Sequence, residues 1–441
     1  MFTKYDDAIS WIHNRLKFGV KPGLKRMEWL LAELDHPEKK IPAIHVAGTN
    51  GKGSTISYML HMLMEAGYNV GTFTSPYIET FNERISVNGL PISDDEMVRL
   101  VNEVKPYVEK IEETDLGSPT EFEIITTMMF LYFGSINNPD FLLLETGLGG
   151  RLDSTNIIDP ILSIITNIGY DHMNILGDTI SEIAREKAGI IKSRRPIITA
   201  AEKEEALEVL IHTAKELEAP YYLLGSDIKI NNLSAWEQGE KFSVQTPNNT
   251  YVNVKIKMRG NHQIKNAALA ISAIDYLSEQ GVVKISSDQI VNGIKKSIWK
   301  GRFELINENP VVIVDGAHND EGIESLIETI NRHYSQKRIH ILFSALSDKN
   351  YGNMINRLSS VANSMHFTTF DFPRAARAEE LYFACELNEK TYSEFWQELL
   401  DELILLYKYK KNDVIIVTGS LYFISTIRNY LVSKNPKENS Q

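Results

Sequence analysis

The segment Gly48-Thr49-Asn50-Gly51-Lys52-Gly53-Ser54 gathers the residue types that hold a phosphate chain: glycines, hydroxyls and one lysine. Glycines let backbone N–H groups converge on anionic oxygens, and a lysine adds a compact positive charge. The apolar run Ile44-His45-Val46-Ala47 precedes it, and Ser54 to Ala66 follow with helical spacing. The turn is therefore expected between a strand and a helix N-terminus, where the helix dipole adds positive potential. The spacing departs from the common Walker pattern, which would place glycine at position 46, where Val46 stands. A Gly-rich turn before a helix also occurs as plain packing chemistry. Strand, turn, lysine and helix together favour the phosphate site.

Glu145 closes a second apolar run, Phe141-Leu142-Leu143-Leu144, and a Gly-rich turn follows it. A carboxylate at the C-terminal end of a parallel strand faces the crevice where ligands bind, and can hold Mg²⁺ directly or through water. Taken alone it would be a solvated acid at a strand end; next to a phosphate loop it becomes a metal candidate. Asp171-His172 again follow an apolar run, and Lys187 lies in the helix-like segment Ala184 to Gly189. Spacing says little of these two, since a strand-end histidine is commonly a surface residue and a helical lysine is commonly solvated.

The elements that must position these residues alternate along the chain. Short apolar runs at 161–165, 196–199, 311–314, 339–343 and 414–417 are separated by helix-period segments, the order of parallel βαβ units covered on both faces. Residues 242–258 instead alternate apolar and polar around Pro247-Asn248-Asn249, predicting an antiparallel hairpin at the sheet edge of the first domain. At 441 residues the chain exceeds one hydrophobic core. A fresh βαβ series after Lys300-Gly301-Arg302 puts the junction near 299, giving domains at 1–298 and 299–434, with a disordered polar tail at 435–441. The fold class is α/β with two doubly wound domains.

The net charge of −12 disfavours a nucleic-acid duplex as main partner. The single Cys385 forms no internal disulfide, which fits a reducing compartment. No apolar run approaches the ~20 residues that cross a bilayer, and the N-terminal stretch 1–19 reads as an amphipathic helix, not a signal peptide. The expectation is a cytoplasmic enzyme without membrane contact.

In order along nearly the whole chain stand GTNGKGS at Gly48, TSPY at Thr74, FNERI at Phe81, ETGLGGRLDSTN at Glu145 and DHMNILG at Asp171. EKAGIIK at Glu186, GNHQIKNAALA at Gly260, GRFE at Gly301, DGAHN at Asp315 and TGSLYF at Thr418 continue it. Together these resemble the folylpolyglutamate synthase and dihydrofolate synthase family within the Mur-type ligases. The resemblance implies a P-loop ATPase-like N-terminal domain, a Rossmann-like C-terminal glutamate-ligase domain, and ATP-dependent joining of L-glutamate to a folate carboxylate through an acyl phosphate; some members of that family take only reduced folates, and others take dihydropteroate as well.

The resemblance also implies roles. Thr49, Asn50, Gly51, Lys52, Gly53 and Ser54 would hold ATP, with Asn266, Arg302 and Asp315 at the nucleotide. Ser75 and Glu145 would bind a first Mg²⁺ and His172 a second, with Lys187 as a carbamate ligand. His318 would act near phosphate and the incoming glutamate, and Ser420 near the amino-acid site. Phe81 and Arg84 belong to the loop over the pterin-bearing substrate, and closure of the two domains would accompany turnover. Tyr77 stands where the family has His, and Lys300 where it has Pro. The family's usual state is a monomer. A cell-wall Mur ligase is a rival, but only 47 residues precede Gly48, too few for a typical substrate domain of about 100–150 residues. A non-enzymatic nucleotide switch is the other; it would hydrolyse ATP slowly and without need of glutamate.

Overall fold

A computed structural model describes residues 1–15, 19 and 21–434, which form two compact units. The first comprises Met1–Asn232, Phe242–Lys255 and Lys265–Ser297; the second comprises Leu233–Lys241, Ile256–Ile264 and the chain from Ile298. Among the described residues, no helix is long and apolar enough to cross a membrane.

The first unit is built on an eight-stranded sheet whose centre is Ala43–Ala47. Its parallel neighbours are Phe141–Glu145 on one side and Leu162–Ile165 on the other. Beyond the former lie Val70–Phe73 and then the antiparallel strands Ile85–Val87 and Leu90–Pro91. Beyond the latter lie Ile197–Thr199 and Tyr221–Leu223, both parallel. All five residues of Ala43–Ala47 and of Phe141–Glu145 are buried, as expected of parallel strands covered on both faces. Leu142 and Leu144 enter a core with the helices Asp94–Glu112 and Glu121–Leu131. The chain feeds one side of Ala43–Ala47 first and the other later. That reversal opens a crevice at the strand's carboxyl end, where the loop 48–51 begins.

The antiparallel pair expected at 242–258 is present as Gly239–Gln245 and Thr250–Ile256. It does not extend the large sheet. It joins Lys229–Trp236 in a three-stranded sheet of its own. Both outer positions of the large sheet are already held, by Leu90–Pro91 and Tyr221–Leu223. Lys229–Trp236 is largely exposed, so it lacks the apolar alternation that would have announced it.

The second unit carries a six-stranded sheet in the order Glu304–Glu308, Val311–Val314, Asp413–Thr418, Arg338–Phe343, Ser364–Thr368, Lys390–Ser393. Only the first pair is antiparallel. Along Asp413–Thr418, Val414 and Ile416 enter one core while Ile415 and Val417 enter another. This two-sided burial makes the strand read as one apolar run. The N-terminal helix spans Tyr5–His13; part of the stretch expected to be helical, and the tail 435–441, lie outside the described residues.

Candidate active site

The loop 48–51 leaves the central strand and turns directly into the helix Lys52–Glu65. Its tightness explains its glycines. A Cβ on Gly48, at φ +150°, would lie 1.8 Å from Thr166 Oγ1, and one on Gly51, at φ +87°, 2.4 Å from Asn266 Oδ1. Neighbouring groups hold the loop in place. Asn50 N–H donates to Asn167 Oδ1 at 2.8 Å, and Thr49 N–H donates to the Asn167 carbonyl at 3.1 Å. The Gly169 N–H donates to Thr49 Oγ1 at 3.0 Å. No side-chain cap is formed at the start of the following helix, the end at which backbone N–H groups and the helix dipole favour anions. Ser54 is buried in that first turn.

Lys52, Glu145 and Ser75 come together at this strand end. Glu145 is 4% exposed, and its Oε2 accepts a hydrogen bond from the Ser75 N–H at 3.0 Å. Lys52 Nζ lies 3.9 Å from Glu145 Oε1 and donates to the Gly48 and Thr49 carbonyls at 3.1 and 3.4 Å. The carboxylate and the serine are hard oxygen donors of the kind Mg²⁺ takes. Among the described residues there is no group of three or more His, Cys, Asp or Glu arranged to hold a metal. A divalent ion here would draw much of its shell from substrate phosphates and water, which is how Mg²⁺ is usually held at phosphate sites.

Lys187 departs from the solvated helical lysine that spacing suggests. It lies in the helix Ile180–Ala188, which opens with a Thr179/Glu182 capping box, and is 3% exposed. Burial lowers its pKa to about 7; Lys52 pushes the same way, and Asp171 and Asp153 partly oppose it. The amine is therefore close enough to the phosphate-loop lysine to feel its charge. His172 is more open. It has φ +50° at the start of the short helix Met173–Leu176, and its Nε2 lies 3.9 Å from Asp171 Oδ1.

A buried polar chain fixes the turn after Glu145. Asp153 Oδ2 accepts from the Leu148 N–H at 2.8 Å, and Asp153 Oδ1 accepts from the Thr155 N–H and hydroxyl at 3.0 and 2.5 Å. With its proton given to Asp153, the Thr155 hydroxyl accepts from His45 Nε2–H at 2.8 Å. Burial holds His45 neutral, its pKa lowered to about 3.

Phe81 and Arg84 begin and end the 3-10 turn Phe81–Arg84. The guanidinium of Arg84 lies 5.3 Å from the Phe81 ring and 5.5 Å from the Tyr77 ring. Tyr77 and Phe81 meet edge to face at 5.8 Å. Tyr77 thus joins an aromatic group around the arginine.

The second unit assembles its own cluster at the carboxyl ends of two neighbouring strands. Asp315 accepts from the Phe303 N–H at 2.8 Å and the Ala317 N–H at 2.9 Å. Burial raises its pKa, opposed first by Arg302. The Arg302 guanidinium lies against Gly316, where a Cβ would fall 2.2 Å from Nη1. His318 Nδ1–H donates to the Gly316 carbonyl at 2.8 Å, which orients Nε2 as the acceptor. The Gly419 N–H donates to the Ala317 carbonyl at 3.1 Å, bringing buried Ser420 beside this turn.

Thr166, Asn167 and Asp153 were not singled out from the sequence. Thr166-Asn167 ends the run ILSIITN, so a polar pair closing a buried strand was the available signal.

Residues 46–274 match the Mur ligase middle domain, and residues 301–421 match the Mur ligase glutamate ligase domain. The chain is 54% identical over 433 residues to the dihydrofolate synthase/folylpolyglutamate synthase of Bacillus subtilis, covering 98% of this chain and all of that protein. Folylpolyglutamate synthase of Mycobacterium tuberculosis complexed with ADP and AMPPCP superposes with a TM-score of 0.90 at 27% identity, covering 97% of this chain and 99% of the other. An FPGS–AMPPCP–folate complex superposes with a TM-score of 0.85 at 30% identity, covering 98% and 100%.

Proposed function

The chain belongs to the folylpolyglutamate synthase and dihydrofolate synthase family, and from that membership we propose how its residues join L-glutamate to a folate. It is an ATP-dependent ligase that forms a C–N bond. The observation that carries the residue assignment is the meeting of Lys52, Ser75 and Glu145 at the end of the central strand. ATP and a carboxylate repel each other, so transfer of the γ-phosphoryl group requires fixed cations and dipoles around the phosphates. Lys52 moves from the loop carbonyls to the outer phosphates, and the first-turn amides of Lys52–Glu65 hold phosphate oxygens. Ser75 and Glu145 would hold Mg²⁺, which supplies charge neutralisation; a second ion at His172 and Lys187 follows the family resemblance.

The substrate carboxylate attacks the γ-phosphorus, ADP leaves, and an acyl phosphate results. The amine of glutamate then attacks the acyl carbon, and phosphate departs as the amide forms and the amine's proton is lost. By the family resemblance, Asn266, Arg302 and Asp315 would serve the nucleotide, and His318 and Ser420 the incoming amino acid. Residues 1–298 and 299–434 divide the work accordingly, and the enzyme acts as a monomer.

Dihydropteroate is a second acceptor, a reading supported by the double name of the Bacillus subtilis relative. Lys187 is a carbamate: its buried amine adds to CO₂ and loses a proton, replacing a costly buried cation with an oxygen ligand. A ¹³CO₂-labelled carbonyl signal that disappears in Lys187→Arg supports the carbamate; no signal in the wild type rejects it. The assignment as a whole is tested by glutamate-dependent ADP release with dihydropteroate or tetrahydrofolate. Release indifferent to glutamate would favour the switch.

A further inference from the structure

Two carboxylates clamp the turn that carries Arg302. On one side the Phe303 N–H donates to Asp315 Oδ2 at 2.8 Å. On the other the Gly301 N–H donates to Glu304 Oε2 at 2.6 Å, and the Gly301 carbonyl accepts from the Gly316 N–H at 2.9 Å. The backbone between these bonds is not a relaxed one. Gly301 has φ +71° and Phe303 φ +45°, the left-handed region that residues with side chains seldom enter and that persists only where the surroundings impose it. Glu304 is itself gripped. Arg428 Nε donates to both of its oxygens at 3.0 Å, and Arg428 Nη2 lies 3.0 Å from Oε1. A guanidinium that holds a carboxylate through two nitrogens fixes its plane as well as its position. Arg428 is buried on the helix Leu421–Lys434. That helix starts at Ser420, whose carbonyl accepts from the Ile424 N–H at 3.0 Å. The contacts thus run from this helix through Arg428 and Glu304 to the turn of Arg302. A pair that only tied the helix to the strand Glu304–Glu308 would be complete without the Gly301 N–H.

We infer that Glu304, gripped by Arg428, is a positioning residue: it sets the turn 301–303 so that the Arg302 guanidinium is held ready for the nucleotide. The inference rests on the reading of Arg302 as a nucleotide contact. Without the Glu304 oxygen the Gly301 amide loses its partner, and the backbone at 301 and 303 relaxes toward ordinary φ values. The Arg302 guanidinium then leaves its place against Gly316, where a Cβ would meet its Nη1. Glu304 and Arg428 both act through Arg302, so their loss weakens nucleotide binding and spares the folate. Misplacement of a binding group by a small shift is enough to lose much of its contribution.

The test is calorimetric titration of the full chain with AMPPCP, with melting midpoints and the KM for folate measured alongside. Glu304→Gln and Arg428→Met should each raise the Kd for AMPPCP about 10-fold, the low end for losing a bond to a charged group. Their KM for folate should stay unchanged. Arg428→Lys keeps the charge without the two-pronged grip and should fall between Arg428→Met and the wild type. In an Arg302→Ala background, Glu304→Gln should add nothing further to the Kd, because a residue that acts through Arg302 has no effect once Arg302 is gone. Should Arg428→Met fail to fold, Glu304→Gln and Arg428→Lys decide by the same readout. An unchanged Kd in the folded variants, even with a lowered melting midpoint, overturns the inference and leaves a structural ion pair. So does a further rise in Kd on adding Glu304→Gln to Arg302→Ala. A normal Kd in Arg302→Ala alone would instead overturn the reading of Arg302 as a nucleotide contact.

Discussion

Burial makes the Lys187 amine reluctant to carry charge, and the charge of Lys52 adds to that. The bare sequence shows only lysine on a helix; that the helix packs its lysine inward is a tertiary fact. The place of Lys52, in a glycine-bearing turn between a strand and a helix, was legible because those elements agree along the sequence. Lys52→Ala should lower turnover by about 10²–10³-fold or more, the scale for losing one preorganised charge. Its thermal midpoint should stay near that of the wild type, because among the described residues the ammonium meets loop carbonyls at 3.1 and 3.4 Å and a carboxylate oxygen no nearer than 3.9 Å. Near-normal turnover in that variant would remove the assignment.

Elements hold these residues by close contact, and two of them carry predictions. The loop 48–51 approaches the Leu162–Ile165 strand end so closely that Gly48→Ala must displace Thr166, 1.8 Å from the new Cβ. That variant should lose ATP binding and also melt earlier, unlike Lys52→Ala. Calorimetric titration with AMPPCP and a melting curve separate the two effects. In the second unit, buried His340, Ser364 and His366 form a hydrogen-bonded chain that ends on exposed Thr391 and crosses three neighbouring strands. Burial, reinforced by His340, lowers the His366 pKa from 6.5 to about 4. His340 is also lowered by burial, against Asp413, with Arg338 and Lys410 adding to the lowering. The unfolded chain therefore takes up protons below pH 6.5 that the folded chain refuses. Stability is full above pH 6.5 and falls as pH drops toward 4, by roughly 3 kcal/mol from His366. Unfolding midpoints should fall less steeply over this range in His366→Gln; an unaltered slope would contradict the account. Strand positions were legible because two-sided burial produces continuous apolar runs. The independent three-stranded sheet was not, since Lys229–Trp236 is mostly exposed and its partners alternate as any edge hairpin would.

At the scale of the molecule, two α/β units each carry polar groups at strand ends, Lys52, Ser75 and Glu145 in one, Asp315 and His318 in the other. If one chain must supply both sets, and chains act as monomers, then Lys52→Ala and His318→Ala proteins should each be inactive and stay inactive when mixed. Recovery of activity on mixing would point to sites shared between chains. The order of motifs along the sequence pointed to the reaction class through the family that they resemble, some of them at strand ends, as GTNGKGS and DGAHN, and others on helices, as EKAGIIK. The most direct test of the central claim follows product mass in a reaction with ATP, L-glutamate and tetrahydrofolate or dihydropteroate. The expected result is a gain of one glutamyl residue with ADP formed in step, absent without glutamate and lost in Lys52→Ala. ADP formation without glutamate and with no change in substrate mass would contradict it.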